Sequence, residues 1–270
     1  MLTRGEKKAL ADIERWQAKK IRAGIAPALI NLLFHPLETI TRIVVPDAMI
    51  KKVSRPLAEL IVNLESVSHK FARDDAVVRK AQKAGLRVEK LEDLRRVPLR
   101  YLDVLSRSFL EKSALYATAQ GMGMGAGGYA TALIDLPMLF TQNLKMIFQI
   151  GASYGYPSDT PQEKEFALRI FCITTASEDD QDAQMRRMDE LVRSLVEDTF
   201  AGDTAILSSP DSVAAFVNRI VSWFVRKRSL RGVFFIGMAL GSTLNYFYTK
   251  ETATYAYMFY RKRFLQEKLA

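Results

Sequence analysis

The chain has 270 residues, 49% hydrophobic and 26% charged, enough to bury a sizeable core and unlike a disordered tail or a multi-span membrane protein. A net charge of +9 points to an anionic partner such as phospholipid, nucleic acid or an acidic protein, or to a solvated basic surface. A single cysteine, Cys172, excludes an internal disulfide, and two histidines without cysteine spacing argue against zinc; no metal and no cofactor is expected.

The opening, MLTRGEKKALADIERWQAKK, has no apolar core of signal-peptide type, so the expected location is cytoplasmic. Leu10, Ile13, Trp16 and Ile21 recur at helical spacing through residues 6–22. Prolines at 27, 36, 46 and 56 predict short broken helices. Amphipathic helices are expected over 57–71 and 86–94, then a longer one over 99–120.

That helix runs into GMGMGAGGYATALIDLP at 121–137. Ala117, Gly121 and Gly125 fall four apart on one helical face, and Gly128 extends it. Each interior glycine costs roughly 1 kcal/mol against alanine, a cost that close approach of another backbone can offset. Gly237 and Gly241 form a matching face near the C-terminus, so these two helices are expected to touch. Residues 113–158 hold only two charged side chains, Asp135 and Lys145, and Pro137 divides the stretch into the arms of an apolar hairpin. The hairpin reads either as tightly crossed core helices or as a segment that lies in a bilayer. Asp135 reads as a helix cap or as a functional carboxylate in an apolar pocket, and Asn245 as an interhelical hydrogen-bonding group or a second functional polar residue at that pocket.

Beyond the hairpin, Thr160, Pro161 and Glu163 form a capping-box signature, and Ser209 with Pro210 starts another helix. ASEDDQDAQ reads as an acidic break before a helix over about 182–200. A last helical region covers about 211–265, interrupted near Ser229. Its end gathers tyrosines beside cations; Tyr255, Tyr257, Arg261, Lys262 and Arg263 suit a membrane interface, or else a core with hydroxyls at its rim. No strand series, repeat or flexible linker is visible. The fold expected is all-α, a single helical domain over 1–270 with a central Gly-rich apolar hairpin and a long C-terminal helical region.

ATAQGMGMGAGGYATALIDLP, LFTQNLKMIFQIGASYGYP, GMALGSTLNYFY and the opening EKKALADIERW together resemble the EcsC family of bacterial proteins. The resemblance covers most of the chain, and its specific part is 120–156; where the family often has an acidic residue after the tyrosine-glycine turn, this chain has Pro157. It implies a cytoplasmic protein peripheral to the inner membrane, working near an ABC transporter, with no catalytic residues to carry over. Three functions remain open on the sequence: a non-enzymatic membrane-associated accessory protein, an enzyme or carrier for an apolar ligand with Asp135 in its pocket, and a soluble protein-interaction module. No nucleophile motif and no nucleic-acid recognition motif supports other classes, so nucleic acid is not the expected partner.

Overall fold

The computed structural model describes residues 1–23, 47–64, 74–124, 136–202, 205–229 and 237–270. These are all-α, with no strand among them. The helices are α1 (Arg4–Ala23), α2 (Asp47–Val62), α3 (Asp74–Lys83), α4 (Leu99–Met124), α5 (Leu136–Ala152), α6 (Pro161–Thr174), α7 (Glu178–Val196), α8 (Pro210–Ser229) and α9 (Gly237–Glu267). A 3₁₀ turn, Leu91–Arg96, leads into α4.

Local chemistry explains four of the helix ends. Thr160 caps α6, its hydroxyl accepting the Glu163 N–H at 3.2 Å, with Pro161 in the first turn. Ser209 accepts the Ser212 N–H in the same way at the start of α8. The expected capping box at Thr160 is only half formed, because the Glu163 carboxylate turns inward to Tyr260 and Arg263. A complete box forms instead at α1, where Thr3 and Glu6 exchange bonds of 2.9 and 3.3 Å. At the end of α5, Gly155 adopts φ 87°, and the N–H groups of Gly155 and Tyr156 return to Ala152 and Gly151. That is a Schellman closure, and it accounts for the glycine in YGYP.

Three expectations fail for stated reasons. Pro56 lies inside α2 rather than ending it; Val53, Leu57 and Ile61 bury one face of the helix across the lost hydrogen bond. The helix expected over 86–94 is replaced by α3, which ends at Lys83, and by the 3₁₀ turn. The acidic run is no break: α7 begins at Glu178, where carboxylates favour a helix N-terminus, and Asp180 pairs with Arg219 of α8.

The core is continuous from Leu2 to Leu265. α9 passes through its middle, against α1, α4, α5, α6 and α7. Among the described helices α4 and α9, which carry Ala117 and Gly121, and Gly237 and Gly241, lie along one another most extensively. Gly125, Gly128 and Asp135 lie outside the described residues. α5 approaches α9 so closely that a methyl group on Gly151 would sit 2.6 Å from Cζ of Tyr260, itself fully buried. Gly151→Ala is therefore expected to lower stability by about 1–3 kcal/mol, read by urea unfolding.

The N-terminal helix is tied to the end of α9 by Lys268, whose Nζ lies 2.7 Å from Glu6. Burial alone would raise the Glu6 pKa, but the bonds from Lys268 and Thr3 bring it below its ordinary 4.5. A carboxylate so lowered contributes stability above its unfolded pKa and loses that contribution as pH falls through the folded value. Glu6→Gln should thus lower the melting temperature at neutral pH, and this effect should shrink as pH falls below 4.5.

Candidate functional site

The C-terminal tyrosines and cations that suit a membrane interface do not face solvent in this fold. Tyr255 is fully buried, accepts a 2.6 Å bond from Gln181 and meets Trp16 edge-on at 5.1 Å. Tyr257 is buried and accepts from Arg107 at 3.2 Å. Arg261 pairs with Asp103 of α4 at 2.7 Å, and Lys262 with Asp189 of α7 at 2.6 Å, with Gln17 of α1 bridging both. Arg263 pairs with Glu163 of α6, both side chains being at least nine-tenths buried. Burial alone would lower the Arg263 pKa; Glu163 reverses this and leaves it raised. Each cation has a carboxylate on a different helix, so these charges are spent inside the molecule. These pairings run between helices distant in sequence, which local composition does not carry.

Among the described residues the buried tyrosine hydroxyls and the thiol are held protonated. Tyr154, Tyr156 and Tyr260 have their hydroxyl pKa values pushed well up by burial, then by nearby carboxylates. Burial raises the Cys172 thiol to about 11, which keeps it protonated. Asn245 is buried within α9. Among the described residues no group of His, Cys, Asp and Glu is arranged to hold a metal, and no helix is long and apolar enough to cross a membrane. A cleft of about 650 Å³ between α6, α7 and the following loop is lined by Glu165, Arg169, Arg187, Glu190, Ser194 and Phe200. Leu191, Phe200 and Ala201 add apolar surface to this charged rim.

The unusual surface lies on α4. Its inner face, with Leu102, Leu105 and Phe109, is buried. Its outer line, Arg100, Val104, Arg107, Glu111 and Leu115, is exposed at every position, as are the flanking Tyr101 and Lys112. Val104 is 68% exposed, Leu115 72% and Tyr101 41%, on a helix that had a core available to bury them. The segment leading into α4 is strongly basic. Residues 79–100 hold eight Lys and Arg against three Asp and Glu, or +5 of the chain's +9. Of these cations, Lys83, Arg87, Lys90, Arg96 and Arg100 are exposed and enter no salt bridge among the described residues. The reading of 99–120 as amphipathic passed over this face. A plot of the helix by position shows it, since Val104 and Leu115 share one line with Arg100, Arg107 and Glu111.

The buried pair gives a direct test of α9's interior role. Arg263→Ala leaves Glu163 buried without its cation and should cost about 3–5 kcal/mol. Replacing both, Glu163→Leu with Arg263→Met, should recover most of that loss in the same chemical unfolding measurement.

Comparison with known proteins adds the lineage. The chain is 24% identical over 262 residues to the uncharacterized protein YdbA of Bacillus subtilis, covering 96% of this chain and 93% of that one. It is 35% identical over 63 residues to protein EcsC of the same organism, covering 23% of this chain and 27% of that one. No solved structure matches it. The model of the EcsC protein family matches residues 7–265, nearly the whole chain including α4 and α9, and the chain belongs to that family.

Proposed function

We propose that this is a non-enzymatic accessory protein of the cytoplasmic side, bound peripherally to the anionic inner membrane through α4, where it works beside an ABC transporter as the family resemblance implies. The observation that carries the reading is the outer line of α4. Val104 and Leu115 stand exposed on it, with Tyr101 beside them, among Arg100, Arg107, Lys112 and Glu111. That combination suits the boundary between headgroups and acyl chains. Burying a Val or Leu side chain fully contributes about 1.5–3 kcal/mol. Each Lys or Arg near an anionic surface adds about 1 kcal/mol, and salt screens it. Neither contribution alone gives firm attachment at physiological salt; together they give a reversible one.

The buried cations of α9 carry no part of this binding. Replacing Arg261, Lys262 and Arg263 by Gln should destabilise the fold, since it strands Asp103, Asp189 and Glu163.

The test is sedimentation with vesicles of phosphatidylcholine, alone or mixed with phosphatidylglycerol in equal parts. The protein should bind the mixed vesicles and be released by salt. Val104→Ser with Leu115→Ser should weaken that binding by about tenfold or more, at unchanged melting temperature. Equal binding by this variant, or retention through high-salt and carbonate washes, would contradict the reading.

A further inference from the structure

The outer line of α4 contains two guanidinium groups that tyrosines hold in place. Arg107 is exposed, and its Nη2 donates to Tyr257 Oη of α9 at 3.2 Å, with the guanidinium 5.2 Å from the ring centroid. Arg100 donates from Nη2 to Tyr101 Oη at 2.8 Å and lies 4.6 Å from that ring. The two arginines are seven positions apart, two turns, or about 10 Å along the axis. Val104 projects between them, 68% exposed.

The carboxylate nearest this pair is already engaged. Asp103 accepts from Tyr154 at 2.9 Å through one oxygen and pairs with Arg261 at 2.7 Å through the other. Arg261 lies 5.5 Å from the same Tyr257 ring, so two guanidiniums flank one tyrosine while a single carboxylate serves them. Arg107 itself enters no salt bridge among the described residues. Glu111 stands one turn beyond Arg107, on the side away from Arg100, so the interval between the arginines is the more positive part of the line.

We propose that Arg100 and Arg107 form a two-point clamp for the phosphates of neighbouring phospholipid headgroups, with Val104 entering the apolar layer between them and Tyr257 acting as a positioning residue. This rests on the peripheral reading above and specifies which atoms recognise the membrane. A guanidinium offers paired donors in a fixed plane that match phosphate oxygens. Bracing by tyrosine reduces the side-chain freedom that binding must remove.

The experiment uses the full chain and the same two kinds of vesicle. Arg100→Gln with Arg107→Gln should weaken binding to the mixed vesicles by about tenfold or more. Lys83→Gln with Arg87→Gln removes the same charge from another exposed part of the basic segment and should weaken it several-fold less. Tyr257→Phe keeps the ring and removes the hydroxyl; it should weaken binding about two- to threefold, and this effect should vanish when Arg107 is already Gln. Arg107→Lys should not restore full binding, because an ammonium lacks the fork. Inorganic phosphate, compared with chloride at matched ionic strength, should leave binding unchanged, since a free ion engages one point at a time. Equal losses in the two double charge variants, or displacement by inorganic phosphate, overturn the clamp while leaving peripheral attachment standing. So does a Tyr257→Phe effect that persists without Arg107. Failure of the wild-type chain to bind either vesicle overturns the peripheral reading itself.

Discussion

The ion pair between Arg263 and Glu163 is the constraint around which the rest of the structure is arranged. Both side chains are removed from water, a step that costs several kcal/mol per ion and is repaid only by good geometry and further hydrogen bonds. Those are supplied by Glu267, which accepts from Arg263 Nε at 3.0 Å, and by Tyr260, which donates to Glu163 at 2.8 Å. Aromatic rings close the remaining space. Tyr156 lies 4.0 Å beneath the guanidinium, and Phe166 stacks on Tyr260 at 4.3 Å. Gly151 lets α5 come against that tyrosine, and the Schellman closure at Gly155 turns Tyr156 back towards the pair. Two of the chain's local peculiarities, the glycine of α5 and the YGYP turn, thus serve one buried charge pair.

α9 repeats the device along its length. It reaches α1 through Glu251 and through Lys268 just past its end, α4 through Arg261, α7 through Lys262 and α6 through Arg263. Only the Arg263–Glu163 pair is nearly dry, and removing one of its partners would strand a buried charge. A helix contacted on five sides needs no single apolar stripe, and α9 has none.

Spending cations inside changes what the surface can do. The C-terminal basic cluster is neutralised, so the chain's excess positive charge is displayed elsewhere, notably before and along α4. α4 then has two unlike faces. Leu102, Leu105 and Phe109 build the core while Arg100, Val104, Arg107 and Leu115 face out, and Asp103 and Arg107 reach the same tyrosine region of α9 from its edge. The outer surface is therefore held by the interior that the ion pairs define. This rigid support is what the proposed membrane-facing line of α4 requires.

By itself the sequence determined the features that rest on neighbours in the chain. These include the helical class, the caps at Thr160 and Ser209, and the glycine turn after α5. Each depends on backbone donors and acceptors within a few residues, so composition and spacing suffice to read it. Tertiary structure decided the rest. It let Pro56 stay within α2, drew Glu163 away from its capping box and extended α7 through the acidic run. It also converted Tyr255, Tyr257, Arg261, Lys262 and Arg263 from an apparent interface into interior ties. A cluster of tyrosines and cations has the same local pattern whether it meets headgroups or carboxylates. Only the fold brings Asp103, Asp189 and Glu163 within bonding distance, and the high cost of leaving a charge unpaired in a low-dielectric interior then settles which of the two it meets.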